Sequence, residues 1–275
     1  MQNRKDKNLF KTVFLVSFMR KVKRQKKKVE NKIVNRVKTG EVILLLALIL
    51  LLISINYPFL DEKIENFLTE GRTAQINVER VIDGDTVVSS SGEHVRLLGI
   101  NTPEKGEFLY EGAKGFLETL VLNKTVILEF TKAKYDKYNR TLAYIFLGGE
   151  NVNVQLVKNG FANYYFYDGL DKYSIELKDA WQSCINDKIN LCEPSTSACA
   201  SCFSIESSKS YIINNCDFSC DISAWQMKGE GREKFIFSEQ TIQPKSISRF
   251  ALDLTNTGGT LFLRDEEGKL VAWEE

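Results

Sequence analysis

"TAQINVERVIDGDTVVSSSGEHVRLLGINTP", Thr73 to Pro103, contains three short runs of alternating apolar and polar residues, separated by an Asp-Gly and a Ser-Gly pair. A period of two puts alternate side chains on one face of a strand, and those dipeptides supply the turns. Strands are therefore expected over roughly 73–82, 86–89 and 94–100. Downstream, "EFLYEGAKGFLETLVLNK" places Ala113, Phe116, Leu117, Leu120 and Val121 on one helical face. "TVILEFTKAKYDKYNRTLAYIFLGGENVN" then reads as strand, polar turn and strand, "VNVQLVKNGFANYY" as a second amphipathic helix, and "YSIELKDAWQSCINDK" as a third that closes the unit near residue 190. Strands first and helices after them, within one segment of this size, predict an α+β domain in which a small closed barrel carries packed helices.

Three stretches bring chemistry to the ends of those strands: "DGDT", "RLLGINTPE" and "DKYNRTLAY". Cleaving a phosphodiester requires positive charge at the non-bridging oxygens, an oriented water and help for the departing oxygen. Two arginines beside a carboxylate metal site meet the first need, and a further carboxylate meets the second. Taken singly the motifs are ordinary. Asp83-Gly84 is a common hairpin turn, Asp136 to Arg140 reads as a solvated loop, Tyr164 to Tyr167 as packing, and His94 as an exposed strand residue. Their co-occurrence carries the argument.

Together, Asp83-Gly84-Asp85-Thr86, Arg96 through Glu104, Asp136-Lys137-Tyr138-Asn139-Arg140 with Leu142-Ala143-Tyr144, and Val152-Asn153 leading to Leu156-Val157-Lys158-Asn159-Gly160 resemble the staphylococcal nuclease (thermonuclease) family. The resemblance covers residues 72–191 and implies an OB-fold five-stranded barrel with three helices that hydrolyses DNA and RNA with one Ca²⁺. It implies Asp85, Asn101 and the backbone carbonyl of Thr102 as metal ligands, with Asp83 in a supporting position. It further implies Arg96 on the scissile phosphate, Glu104 on the attacking water, Arg140 on phosphate and the leaving 5′-oxygen, and Tyr165 or Tyr167 stacked on a base.

This chain departs from the family pattern in three ways. Asn101 stands where an Asp is usual, the loop after Glu104 is shorter, and residues 72–190 hold 14 basic against 16 acidic side chains, a net charge of −2. Such a segment steers a polyanion weakly over distance, so binding would rest on local arginines. The amide at position 101 keeps a hard oxygen that Ca²⁺ accepts but removes one negative charge, so on charge alone Asn101→Asp should tighten cation binding.

From Cys199 onward, short apolar runs alternate with Gly and Asn turns about every ten residues, which predicts an all-β sandwich. The linker is Glu193 to Ala198. Cys220 to Trp225, Lys234 to Phe237, Thr241 to Pro244 and Asn256 to Leu263 followed by Asp265 resemble a lamin-tail domain. That resemblance implies an immunoglobulin-like sandwich over 199–275 with a binding or spacing role and Trp225 in its core. All six cysteines, Cys184, Cys192, Cys199, Cys202, Cys216 and Cys220, lie in the last third of the chain. Disulfides are the expectation, with 15 pairings open, and a zinc site of Cys199, Cys202, Cys216 and Cys220 is the alternative.

The other end of the chain is different again. Residues 1–40 carry fourteen Lys and Arg against Asp6 and Glu30, or +12, leaving −11 for the remaining 235 residues of a chain whose total is +1. The basic arm, 1–41, is followed by "VILLLALILLLISINYPFL", Val42 to Leu60, with no charge in 19 positions. A helix of that length spans about 28 Å, close to the hydrocarbon thickness of a bilayer. The expectation is an N-terminal transmembrane helix acting as a retained signal-anchor, with the arm cytoplasmic and the later domains extracytoplasmic. Its strongest part ends at Ile55, which keeps a buried core helix or a signal-peptide core as alternatives. Tyr57 and Phe59 would mark the outer interface, and Val13 to Met19, too short to span, an interfacial patch. Partners expected for this region are the membrane through 42–60 and anionic lipid headgroups through the arm, with nucleic acid as an alternative for the arm.

Two functional readings follow. One is a membrane-anchored, extracytoplasmic, metal-dependent nuclease acting on DNA, RNA or both. The other is a tethered, non-catalytic nucleic-acid-binding OB module in which Asn101 marks decay of the metal site. Arg96, Glu104 and Arg140, whose use is at a scissile phosphate, favour the enzyme.

Overall fold

A computed structural model of the chain describes residues 72–167, 169–231, 233–252 and 259–274, with helical positions at 21, 23–26, 44 and 46–48. Apart from those positions the basic arm, the apolar run 13–19 and the span 42–60 lie outside the described residues, as does Asn256 to Gly258 of the lamin-tail-like motif. Among the described residues no helix is long and apolar enough to cross a membrane. From residue 72 onward the described residues belong to one unit.

The first part of that unit runs β1 (Thr73–Asp83), β2 (Thr86–Ser89), β3 (His94–Leu97), β4 (Ile100–Asn101), α1 (Tyr110–Val121), β5 (Thr125–Glu129), β6 (Thr141–Leu147), β7 (Glu150–Asn151), α2 (Val152–Lys158), β8 (Asn163–Tyr164) and α3 (Ser174–Asp187). Antiparallel pairings join β3 to β2, β2 to β1, β1 to β5 and β5 to β6. A parallel pairing of β3 with β6, Val95 opposite Thr141 and Leu97 opposite Ala143, closes the sheet into a five-stranded barrel of the OB type. Alternation does what it predicts: Val87, Val95, Leu97, Val126, Leu128, Ala143 and Ile145 turn inward and are buried. On α1 the expected face is the one used, with Ala113, Leu117 and Val121 buried.

Two expected elements are shorter than their patterns. The run 94–100 breaks after Leu97, because Gly99 sits at φ 71° and a Cβ there would lie 2.5 Å from the Tyr144 hydroxyl and 2.6 Å from Leu177. The break frees Ile100 and Asn101 to form β4, which pairs with β8. The second helix stops at Lys158 rather than continuing through "GFANYY", since Tyr164 is taken into the core and Asn163 into that pairing. Tertiary burial overrides helical periodicity here.

The remaining strands are β9 (Phe203–Glu206), β10 (Tyr211–Asn214), β11 (Cys220–Asp221), β12 (Gln226–Gly229), β13 (Lys234–Ile236), β14 (Thr241–Ile242), β15 (Ile247–Arg249), β16 (Leu261–Arg264) and β17 (Leu270–Glu274). They form sheets ordered β15-β10-β9, β13-β12-β16-β17 and β11-β14. Their side chains enclose a second core that includes Phe203, Ile212, Trp225, Met227, Phe237 and Leu263. Trp225 is a core residue, as expected. Disulfides join Cys184 to Cys192, Cys199 to Cys220 and Cys202 to Cys216, so no thiolate remains for a zinc site.

β16 and β17 are shared between the two cores. Leu261 and Leu263 face the second, whereas Phe262 and Leu270 belong to the first, where Phe262 lies 5.2 Å from the Trp181 ring of α3 and Trp273 lies 6.3 Å from it. The Tyr164 hydroxyl and Thr260 Oγ1 are 3.0 Å apart. At another point Lys228 Nζ at 2.7 Å and Lys234 Nζ at 2.9 Å clamp the carboxylate of Glu107, in the loop before α1. Burial alone would raise the Glu107 carboxyl, but the two ammonium groups and the backbone N–H of Glu104 hold it at about 2, against an ordinary 4.5.

Trp181→Ala should cost about 3–5 kcal/mol of stability, measured by denaturant unfolding, because it empties the largest side chain from the seam between the two cores. Glu107 gives a pH signature. Its depressed carboxyl adds stability that is fully present above the unfolded value of 4.5 and is lost as pH falls towards about 2. With allowance for solvent screening, this contribution is on the order of 2 kcal/mol. Glu107→Gln should therefore lower stability above pH 5, and its difference from the parent should shrink on acidification, read from unfolding curves at stepped pH.

Candidate active site

The site is built where β1, β2 and β3 leave the barrel. The β1–β2 turn is tied by Asp83, whose Oδ1 accepts the Asp85 backbone N–H at 3.1 Å. Between them Gly84 lets two segments approach closely, since a Cβ there would lie 2.8 Å from both Ala113 Cβ and Thr102 Cβ. Thr102 is thereby brought onto Asp85 and donates to Oδ2 from its backbone N at 3.2 Å and its hydroxyl at 2.9 Å. The other carboxylate oxygen receives the Thr86 hydroxyl at 3.1 Å and Arg96 Nε at 3.1 Å. Arg96 stands opposite Thr86 in the β2–β3 ladder, which fixes its approach.

Arg96 and Asp85 are both buried. The guanidinium donates further to Leu97 O at 2.5 Å, Ile100 O at 3.0 Å and Asn101 Oδ1 at 3.3 Å. Charges withdrawn from water need this density of partners. The chain reversal after Leu97 supplies them, so the Gly99 break and the arginine cradle are one feature.

Asn101 has 1% of its surface exposed. Its amide nitrogen donates 3.0 Å to the carbonyl of Gly231, on the turn that follows β12. The neighbouring Glu230 is equally buried; Oε2 accepts the Phe166 N–H at 3.1 Å, Oε1 accepts the Thr260 N–H at 3.3 Å, and its backbone carbonyl accepts Asn163 Nδ2 at 3.3 Å. Burial pushes the Glu230 carboxyl upward, against hydrogen bonds from Thr260 and Phe166 that favour its charged form.

The structure thus brings Asp83, Asp85, Arg96, Asn101 and Thr102 together. Glu104 follows on the same loop, its backbone N–H donating to Glu107 Oε2 at 2.9 Å. Arg140 stands apart, with no hydrogen bond or ion pair to the Asp85 cluster. It is held by Asp136 at 2.7 Å, and its β6 neighbour Thr141 pairs with Val95, next to Arg96. Tyr165 and Tyr167 leave the buried course of Tyr164 and Phe166; their rings are 6.0 Å apart and Tyr167 is exposed. His94 is an exposed strand residue.

Among the described residues no three His, Cys, Asp or Glu side chains are grouped to hold a metal. The oxygens gathered round the mouth are the carboxylates of Asp83 and Asp85, the Asn101 amide and the Thr102 carbonyl. The set nevertheless fits a hard divalent cation. Burial, and then Asp85 beside it, push the Asp83 carboxyl above its ordinary value, with the Arg96 guanidinium opposing them. Added positive charge would relieve the repulsion between the two acids.

Glu107, Glu230 and the Gly231 carbonyl escaped the sequence reading. Gly231 lies 130 positions from the residue it holds, and a backbone carbonyl leaves no mark in side-chain patterns. Glu107 sits within "PEKGE", where nothing local distinguishes it from a solvated acid.

Comparisons with known proteins place the chain among nucleases by sequence. The family model described as "Staphylococcal nuclease homologue" matches residues 94–193. A thermonuclease of Staphylococcus intermedius is 35% identical over 167 residues, covering 58% of this chain and 98% of that protein. A thermonuclease of Staphylococcus hyicus is 31% identical over 168 residues, covering 57% and 97%. The endonuclease YncB of Bacillus subtilis is 30% identical over 131 residues, covering 44% and 62%. With 98% of a thermonuclease matched by this chain at 35% identity, the chain belongs to the staphylococcal nuclease family.

Proposed function

We propose that the chain is a Ca²⁺-dependent nuclease that hydrolyses phosphodiester bonds of DNA, RNA or both. The observation that carries this reading is the buried Arg96–Asp85 pair at the barrel mouth, with Asn101 and Thr102 drawn round it. Asp85, the Asn101 amide oxygen and the Thr102 carbonyl would hold the cation, with Asp83 in support; bound there, it would neutralise charge on the phosphate. Arg96 binds the scissile phosphate and stabilises the crowded charge of the transition state. Glu104 orients the attacking water and accepts its proton as the new P–O bond forms. Arg140 binds phosphate and assists the 5′-oxygen as its bond to phosphorus breaks. Tyr165 and Tyr167 offer a stacking surface for a base.

The cellular setting proposed is a membrane anchor at 42–60 with the basic arm in the cytoplasm, against anionic headgroups, and the nuclease outside. Support comes from the charge step of +12 to −11 across the apolar span and from six cysteines that are all paired, which suits an oxidising compartment. The C-terminal sheets suit a lamin-tail-like domain.

Incubation of the full chain with single-stranded DNA and Ca²⁺ should give cleavage that chelator abolishes; DNA binding without cleavage under any divalent metal would leave only the non-catalytic module. Glu104→Gln should lower kcat by about 10²–10⁴-fold, and Arg96→Ala by at least about 10²-fold. Protease added to intact cells should remove the nuclease segment and spare the basic arm, whereas protection of both would place the nuclease inside.

A further inference from the structure

We propose that the turn Gly229–Gly231, at the end of β12, is a positioning element of the cation site: through the Gly231 carbonyl it orients Asn101 so that the amide oxygen, and not the nitrogen, faces the Asp85 side. The inference rests on the cation site proposed above. A side-chain amide has a donor end and an acceptor end, so fixing one fixes the other. Here the nitrogen is bound to Gly231 O at 3.0 Å and the oxygen is turned to Arg96 Nη2 at 3.3 Å. Reversing the amide would set its oxygen against a carbonyl oxygen and its NH₂ against a guanidinium. Both changes are unfavourable.

The turn is itself secured on elements of the site. Glu230 grips the backbone at Phe166, between Tyr165 and Tyr167, and at Thr260. Its carbonyl accepts from Asn163, which pairs with Asn101 in the β4–β8 ladder. Lys228 and Lys234 flank the turn and bind Glu107, which also holds the backbone of Glu104. A buried carboxylate is costly unless its partners repay the lost hydration, so this arrangement is specific. Asn101 is then matched to its neighbour. An aspartate at 101 would add the missing charge but would lose the donor and face the Gly231 carbonyl with a carboxylate oxygen. This replaces the expectation drawn from charge alone, that Asn101→Asp simply tightens the cation.

The experiment is a double-mutant cycle on the full chain in detergent, using Asn101→Asp, Glu230→Ala and both together. Ca²⁺ affinity is read by calorimetry and folding by thermal unfolding. Glu230→Ala should weaken Ca²⁺ about tenfold, as loss of a group that orients a ligand does. With the turn intact, Asn101→Asp should bind Ca²⁺ no tighter than the parent. In the Glu230→Ala background the same change should tighten it. A role in stability alone would not reverse that sign. Should Glu230→Ala fail to fold, Lys228→Ala with Lys234→Ala loosens the same turn from outside. Equal tightening by Asn101→Asp with and without the turn would overturn the proposal, as would a parent chain that binds no Ca²⁺. The cycle reads binding alone. A chain that shows the reversal but cleaves no nucleic acid sinks the nuclease reading, while one that cleaves but shows additive effects sinks only the positioning role.

Discussion

The buried ion pair between Arg96 and Asp85 sets the terms for everything around it. Two charges withdrawn from water cost several kcal/mol each, and Coulomb attraction repays this only if the remaining donors and acceptors are also satisfied. Asp85 is completed by Thr86 and by two groups of Thr102; Arg96 is completed by Leu97, Ile100 and Asn101. All of these lie within twenty residues, but they converge only because the chain turns back after β3. The reversal requires a residue that tolerates positive φ and presents no Cβ to Tyr144, which is Gly99. It also delivers Ile100 and Asn101 to β8, so the aromatic segment that follows β8 is carried to the same mouth. The chemistry and the topology are consequences of one pair.

Local patterns made much of this legible. The barrel strands show in alternation, α1 in the spacing of Ala113, Leu117 and Val121, and the site in "DGDT" and "RLLGINTPE", whose residues meet at strand ends, while Arg140 of the third motif stands apart. What was hidden depends on partners distant in sequence. The second helix looked longer than it is because "FANYY" has helical spacing, yet Tyr164 gains more by entering the core against Trp181 and Phe262. "TLFLR" reads as one apolar strand. Its lack of alternation makes sense only once Phe262 is seen facing one core and Leu261 and Leu263 the other. No local signal says which core each face meets.

The same strands bear on what the C-terminal sheets do. A domain that merely spaced or tethered the nuclease would need a small, polar contact with it. Here β16 and β17 contribute to the barrel-side core, and β12 and β13 carry the lysines that hold Glu107. Apolar burial along one seam and a part-buried charge clamp along another fix the approach in two directions, and the turn after β12 is presented to Asn101 between them.

That rigidity bears on the low charge of the site. With an amide at 101, the acids near the proposed cation are Asp83, Asp85 and Glu104, and the nuclease segment as a whole is slightly acidic. Affinity for a cation depends on the charge of its donors and on the cost of assembling them. Removing one negative charge weakens the first term. Holding Asn101 from behind by a backbone carbonyl, and Asp85 by Thr102, improves the second, because less side-chain freedom is lost on binding. The amide also adds no negative charge beside the Asp83 carboxyl, which burial and then repulsion from Asp85 already push upward. A carboxylate at 101 would add to that repulsion in the absence of the cation, since the Arg96 guanidinium is already committed to Asp85. Asn101 therefore trades charge for order, and the trade works only where a second sheet supplies the carbonyl that orders it.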